Sequence, residues 1–292
     1  MSTTTSTATP KTEYFCAAEG CGKPAPLRCS RCLGSCYCGK ECQKKAWPGH
    51  KKQCKVATAV RGTLGDDVSI DSIDKMIAQY KIDAENGDTI AMHNLGLCYH
   101  KGTGVQIDTR EGIRWFKRGA EAGSVICQFA LATMYLNGDG VAVDAREAVK
   151  WYTRAAEAGD KDAQTNLGRC FMYGDGCPVN KLAAVKWYTR AANAGDIDAL
   201  FNLAQCYAAG DGVPMDKKKA FDLWKRTEAA EVDEGSDGRF KGRAQYNMGC
   251  AYAAGHGVVK DMNEALKWWF KAAESGHDLA ISLVAQFTGG KE

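Results

Sequence analysis

From about residue 72 onward, apolar residues recur every three or four positions in blocks interrupted by short glycine-rich breaks, the spacing of one helix face after another. "MHNLGLCYHKGTGVQIDTREGIRWFKRGAEAG" (92–123) and "AQTNLGRCFMYGDGCPVNKLAAVKWYTRAANAG" (163–195) can be laid over each other. The second glycine of each G-x-G recurs at Gly104, Gly140, Gly176, Gly212 and Gly257, with steps of 36, 36, 36 and 45 residues. An aromatic precedes each break: Tyr99, Tyr135, Phe171, Tyr207 and Tyr252. A tryptophan follows each: Trp115, Trp151, Trp187, Trp224 and Trp268.

Physical chemistry assigns each position. The block before G-x-G predicts a first helix, and the glycines end it by supplying the positive φ of a tight turn. Four residues later stands Asp108, Asp144, Asn180, Asp216 or Asp261, predicting the N-cap of a second helix. Asp108 with Glu111, Asp144 with Glu147 and Asp261 with Glu264 have capping-box spacing. The tryptophan falls on that second helix, which Gly87, Gly123, Gly159, Gly195 or Gly276 closes. Cys98, Cys170 and Cys206 share one repeat position with Met134 and Ala251, which predicts a packed slot and excludes a metal site there. His93, His100, His256 and His277 show no paired ligand spacing and read as surface or packing residues. Unit four departs from the period. One residue is expected to be added between Gly212 and Trp224 and eight more before Asn247, around "EVDEGSDGRFKGR" (231–243), read as a polar surface loop.

A helix–turn–helix unit of this size cannot bury its own apolar face, so units must stack. These residues resemble Sel1-like repeats, relatives of the tetratricopeptide repeat, over roughly Ser72 to Gln286. The resemblance implies an all-α right-handed α-solenoid of about five repeats. "DSIDKMIAQYKIDAENG" (71–87) would cap its start and "HDLAISLVAQF" (277–287) its end.

The first sixty residues follow a different rule. Eight of the fourteen cysteines lie between Cys16 and Cys54. The spacing is Cys16-x4-Cys21-x7-Cys29-x2-Cys32-x5-Cys38-x3-Cys42-x7-His50-x3-Cys54, with Cys36 inside the x5 gap. Leaving Cys36 aside as a small filler, seven thiolates and one imidazole make eight ligands, enough for two tetrahedral zinc ions. Cys29 and Cys32 suit a tight knuckle. Cys38/Cys42 and His50/Cys54 are each four apart, so one helical turn puts both members of a pair on one face. The Pro48-Gly49 break separates the two pairs. So short a segment has little core of its own. Metal supplies the deficit, about 10–16 kcal/mol per structural zinc in small peptides. With every ligand position filled, no place is left for a catalytic water.

"CGKPAPLRCSRC" and "YCGKECQKKAWPGHKKQC" resemble the MYND-type zinc finger beyond the ligands themselves. The resemblance implies a cross-braced arrangement: Cys16, Cys21, Cys38 and Cys42 on one zinc, and Cys29, Cys32, His50 and Cys54 on the other. It also implies a groove for a short proline-containing peptide, in which Gln43 and Trp47 act. These two are four apart and can share a helix face, although a tryptophan beside a zinc site can equally plug a small core.

Taken in order, the chain is expected to comprise a disordered tail at 1–13, the finger at 14–55, a linker at 56–71 and the repeats at 72–288. Charge adds a second possibility for the finger. Lys11–Lys55 contains ten Lys/Arg against three Asp/Glu, while the whole chain carries only +3. Seven bound thiolates and two zinc ions reduce that local +7 to about +4. A modest basic face permits a nucleic-acid-associated regulator whose finger contacts DNA or RNA, though no long basic stripe with interleaved aromatics accompanies it.

No signal peptide or membrane span is read, which points to cytoplasm or nucleus, where thiols stay reduced. The sequence shows no P-loop, no G-x-S-x-G and no H-x-D…H iron triad, and its G-x-G turns recur between helices rather than after a strand. The expected function is therefore a non-catalytic adaptor. The finger would take a proline-containing peptide, and the solenoid would scaffold a second protein partner.

Overall fold

The computed structural model describes residues 27–28, 36–37, 70–230 and 239–288. The chain divides into two compact units, Met1–Ser124 and Val125–Glu292.

In the first unit, β1 (Leu27–Arg28) pairs antiparallel with β2 (Cys36–Tyr37), Leu27 opposite Tyr37 and Arg28 opposite Cys36. Three helices follow: α1 (Ile70–Glu85), α2 (Thr89–Lys101) and α3 (Thr109–Glu121). The second unit holds α4 (Val125–Asn137), α5 (Ala145–Glu157), α6 (Lys161–Tyr173), α7 (Lys181–Asn193), α8 (Ile197–Ala209), α9 (Lys217–Ala229), α10 (Arg239–Ala254), α11 (Met262–Glu274) and α12 (Asp278–Thr288). The pairs α2/α3, α4/α5, α6/α7, α8/α9 and α10/α11 are the repeating units. The expected half-units at 71–87 and 277–287 are α1 and α12.

Local chemistry sets the ends of these helices. Side chains of Asp108, Asp144, Asn180, Asp216 and Asp261 accept the first free N–H groups of their helices, as the cap spacing predicts. The backbone N–H of each of these residues donates in turn to the carbonyl of the aromatic before the break: Tyr99, Tyr135, Phe171, Tyr207 or Tyr252. Gly102, Gly174 and Gly210 end the first helices in the left-handed conformation, each N–H returning to a carbonyl of the cysteine slot.

Helix pairing follows from one small residue. A β-carbon on Gly168 would lie 2.7 Å from the Tyr188 ring, and one on Gly96 2.7 Å from Phe116. At these two positions even the β-carbon of alanine would push the aromatic ring aside, so glycine is what fits beneath Tyr188 and Phe116. Stacking of successive units uses the second glycine of the turn. At Gly176, Gly212 and Gly257 a β-carbon would fall 2.1–2.4 Å from the backbone carbonyl of Ala145, Lys181 and Lys217, the first residues of the preceding second helices. The G-x-G signature thus encodes a turn and also a backbone-to-backbone approach between neighbouring repeats.

Two expectations for unit four need correction. No residue is added before Trp224, because α9 has thirteen residues like α3, α5, α7 and α11 and starts at the same cap. Counted from Asp216, Leu223 stands where the other units carry Trp115, Trp151, Trp187 and Trp268. Trp224 occupies the next position, that of Phe116, Tyr152, Tyr188 and Trp269. It fills that buried slot at 8% exposure, in one cluster with Ala204. The excess length therefore falls wholly after α9. The expected loop over 231–243 is helical from Arg239, since α10 runs sixteen residues. Its extra turn is anchored by Phe240, whose ring centroid lies 5.3 Å from that of the buried Phe201, with the Arg243 guanidinium 4.5 Å over Phe201. The remainder of that stretch, 231–238, lies outside the described residues.

Candidate functional site

All eight expected zinc ligands, Cys16, Cys21, Cys29, Cys32, Cys38, Cys42, His50 and Cys54, lie outside the described residues, as do Gln43 and Trp47, the expected tail and the expected linker up to residue 69; the last two linker residues, Ile70 and Asp71, instead begin α1. What bears on the metal is the chemistry of the donor set. Seven thiolates and one imidazole suit zinc and exclude the hard cations, which take oxygen. Among the described residues, no group of three or more His, Cys, Asp or Glu could hold a metal ion.

The cysteines of the helical region behave as packing groups. Cys98, Cys170 and Cys206 are buried, and desolvation pushes each thiol up to about 11. Such thiols stay protonated at neutral pH and are poor nucleophiles or ligands. Met134 at 5% and Ala251 at 2% exposure confirm a packed slot.

The histidines also have packing partners. His93 is tilted against Phe116 at 5.7 Å, and burial lowers its pKa. His277 stacks on Tyr246 at 4.6 Å, and its Nδ1 accepts from the N–H of Ala280 at the start of α12.

The tryptophans pair with cations one turn on. Arg154 lies 4.5 Å over Trp151, Arg190 4.7 Å over Trp187 and Lys271 5.2 Å over Trp268. In the first unit Arg118 lies over Trp115 and donates to the carbonyl of Glu85 at 3.2 Å. Each cation–π pair lies within one helix, and the Arg118 bond to Glu85 ties α3 to α1.

The second unit contains one feature not anticipated from the sequence, a cavity of about 130 Å³ among α8, α9 and α10. Lys217, Gln205, Asn247 and His256 supply its polar lining, and Ala220, Trp224 and Ala251 its apolar part. Asn247 Nδ2 donates to Gln205 Oε1 at 3.3 Å. The readable signal was the turn itself. It is G-D-G at 138–140, 174–176 and 210–212 but G-H-G at 255–257.

Stacked helix pairs with buried small-residue seams, joined to a short segment rich in thiol donors, define a helical repeat protein with a cysteine-rich module ahead of its repeats. Comparison with known proteins agrees. The Sel1 repeat matches at 89–124, 125–160, 161–196, 197–228 and 242–277, more than half of the chain, and the MYND finger matches at 16–54. The chain belongs to the Sel1 repeat family and carries a MYND finger ahead of its repeats.

A protective antigen of uropathogenic Escherichia coli, c5321, superposes with a TM-score of 0.68 at 28% identity, covering 86% of this chain and 52% of that one. A Sel1 repeat protein from Oxalobacter formigenes gives 0.61 at 26% identity, covering 83% and 84%. Human histone-lysine N-methyltransferase SMYD3 is 56% identical over 34 residues, which are 12% of this chain and only 8% of that enzyme. The fold is thus a Sel1 solenoid, a class of typically non-catalytic scaffold. The finger implies zinc binding, and both modules are protein-interaction modules.

Proposed function

We propose that this chain is a non-catalytic adaptor of the cytoplasm or nucleus. Its finger binds a short proline-containing segment of one protein, and its repeats hold a second. The observation that carries the reading is the union on one chain of a MYND finger and five Sel1 repeats. Two linked binding modules gain by effective concentration, so the full chain binds a bivalent partner set more tightly than either part. Capture of partners with the full chain, compared with variants disabled in the finger or in the repeats, tests this. Recovery of the same partners regardless of which module is disabled would sink it. Binding that collapses steeply with salt and follows added DNA or RNA would instead support the nucleic-acid reading.

The finger holds two structural zinc ions, on Cys16/Cys21/Cys38/Cys42 and on Cys29/Cys32/His50/Cys54. Native mass spectrometry is expected to give two zinc ions per chain. Chelation is expected to leave the helical circular dichroism largely intact, because all eight ligands precede the repeats. One zinc, or loss of most helix on chelation, contradicts the assignment.

Trp47 forms a wall of the peptide groove and Gln43 hydrogen-bonds the peptide backbone. Proline-rich segments are preorganised and dock on aromatic surfaces. Titration with P-x-L-x-P peptides is expected to show binding that Trp47→Ala and Gln43→Ala each abolish while both zincs are retained. Equal binding by a folded Trp47→Ala chain would return Trp47 to the core.

A further inference from the structure

Neighbouring repeats of the second unit meet where the turn of one rests on the first residue of the preceding second helix. At one such junction that first residue is Lys181. Its Nζ reaches Asp211, the middle residue of the next G-x-G turn, at 2.5 Å. Lys217 holds the same position in α9, and the matching turn residue one unit later is His256. The position that pairs a lysine with a carboxylate at one junction thus pairs a lysine with an imidazole at the next, and Lys217 and His256 both line the cavity described above.

No acidic side chain lines that cavity. The carboxylates nearest in sequence are engaged elsewhere. Asp216 accepts from the N–H of Lys219, and Asp261 from those of Asn263 and Glu264. The cavity adjoins the N-terminal end of α9, where the helix dipole adds positive potential. Trp224, part of its wall, is only 8% exposed, and its Nε1–H has no hydrogen-bond partner. The surroundings are therefore rich in donors (an ammonium, an imidazole, two amides and an indole) and lack the one acceptor charge that the neighbouring junction has.

We propose that this cavity receives the carboxylate of an aspartate or glutamate side chain presented by a partner protein, in the role Asp211 plays toward Lys181. The assignment deepens the scaffold reading, since it rests on the repeats having a partner and states the chemistry of one contact. Lys217 and His256 donate charge-assisted hydrogen bonds to the carboxylate, Asn247 offers an amide, and the apolar floor of Ala220 and Ala251 takes the methylene stem.

The test uses the full chain labelled with 15N and follows the indole signal of Trp224, assigned by its loss in Trp224→Phe. N-acetyl-glutamate N-methylamide is the probe, with its glutamine counterpart and inorganic phosphate as separate arms. The glutamate compound is expected to shift the Trp224 signal saturably and the glutamine compound not to. Lys217→Met weakens binding about tenfold, the scale of losing one charge-assisted contact. His256→Asp abolishes it, because an in-chain carboxylate then closes on Lys217. This variant installs the residue found at 139, 175 and 211, so the fold tolerates it. Equal shifts with the glutamine compound, saturation by phosphate but not by glutamate, or an undiminished titration in His256→Asp would each overturn the proposal. The probe is a single side chain, so failure here leaves the adaptor reading standing, and failure of partner capture leaves this titration readable.

Discussion

Trp151→Ala is expected to destabilise the second helical unit by about 3–5 kcal/mol, the range for deleting a buried tryptophan. Trp151 is 7% exposed on α5 and lies under the Arg154 guanidinium at 4.5 Å, so truncation opens a void and also removes a cation–π contact. Its repeat equivalents Trp187 and Trp268 are only half-buried, and their alanine variants are expected to cost less. The neighbouring Tyr152 provides an internal scale. It is 1% exposed, and its hydroxyl lies 2.9 Å from Thr133 Oγ1. Tyr152→Phe removes one hydrogen bond and no volume of consequence, so about 1 kcal/mol is expected. Urea denaturation followed by circular dichroism gives the order: Trp151→Ala well below wild type, Tyr152→Phe close to it. A Trp151→Ala loss no larger than that of Tyr152→Phe would show that the indole contributes nothing to the core.

Gly176→Ala is expected to cost several kcal/mol, well beyond Gly159→Ala. Both glycines have positive φ, +75° and +99°, so an added side chain meets a backbone penalty of about 1–2 kcal/mol at either position. They differ in their surroundings. A β-carbon at Gly159 meets nothing within 4 Å, whereas one at Gly176 falls 2.1 Å from the Ala145 carbonyl oxygen. Backbone cannot rotate away as a side chain can, so the repeats themselves must separate. That adds an overpacking cost of about 1–3 kcal/mol. The difference between the two variants in one denaturation series isolates the inter-repeat contact. Equal losses would mean that Gly176 is required only for its turn.

Much of the helical region was legible because its determinants are local. The N-caps at Asp108, Asp144, Asn180, Asp216 and Asp261 bond N–H groups two or three residues on, and the αL glycines return to a carbonyl four residues back. Such interactions need only short-range sequence, and five copies repeat them. The cysteine slot was readable for a related reason. Met and Ala at the same repeat position rule out a ligand whatever the tertiary contacts are. The finger's family was likewise legible, because the cysteine spacing and the residues around it lie within one short segment, 16–54.

Unit four could not be read correctly. Aligning Trp224 with the other tryptophans satisfies residue identity, yet the helix places position above identity. What Trp224 fills is the buried position held by Phe116, Tyr152, Tyr188 and Trp269 in the other units, one residue further along, and an aromatic stands there in every unit. Phe240 and Arg243 looked like parts of a polar insertion because their partner, Phe201, is some forty residues away in sequence. The sequence by itself therefore determined the repeat period, the helix ends, the turn glycines and the presence of the finger, all of which depend on covalent spacing and backbone satisfaction. Tertiary structure alone decided which aromatic covers which small residue, that Gly176, Gly212 and Gly257 lie on a neighbouring backbone, and that Lys217 and His256 meet at one cavity. Those contacts join residues about twenty to forty apart, and their energies depend on packing that no short window of sequence contains.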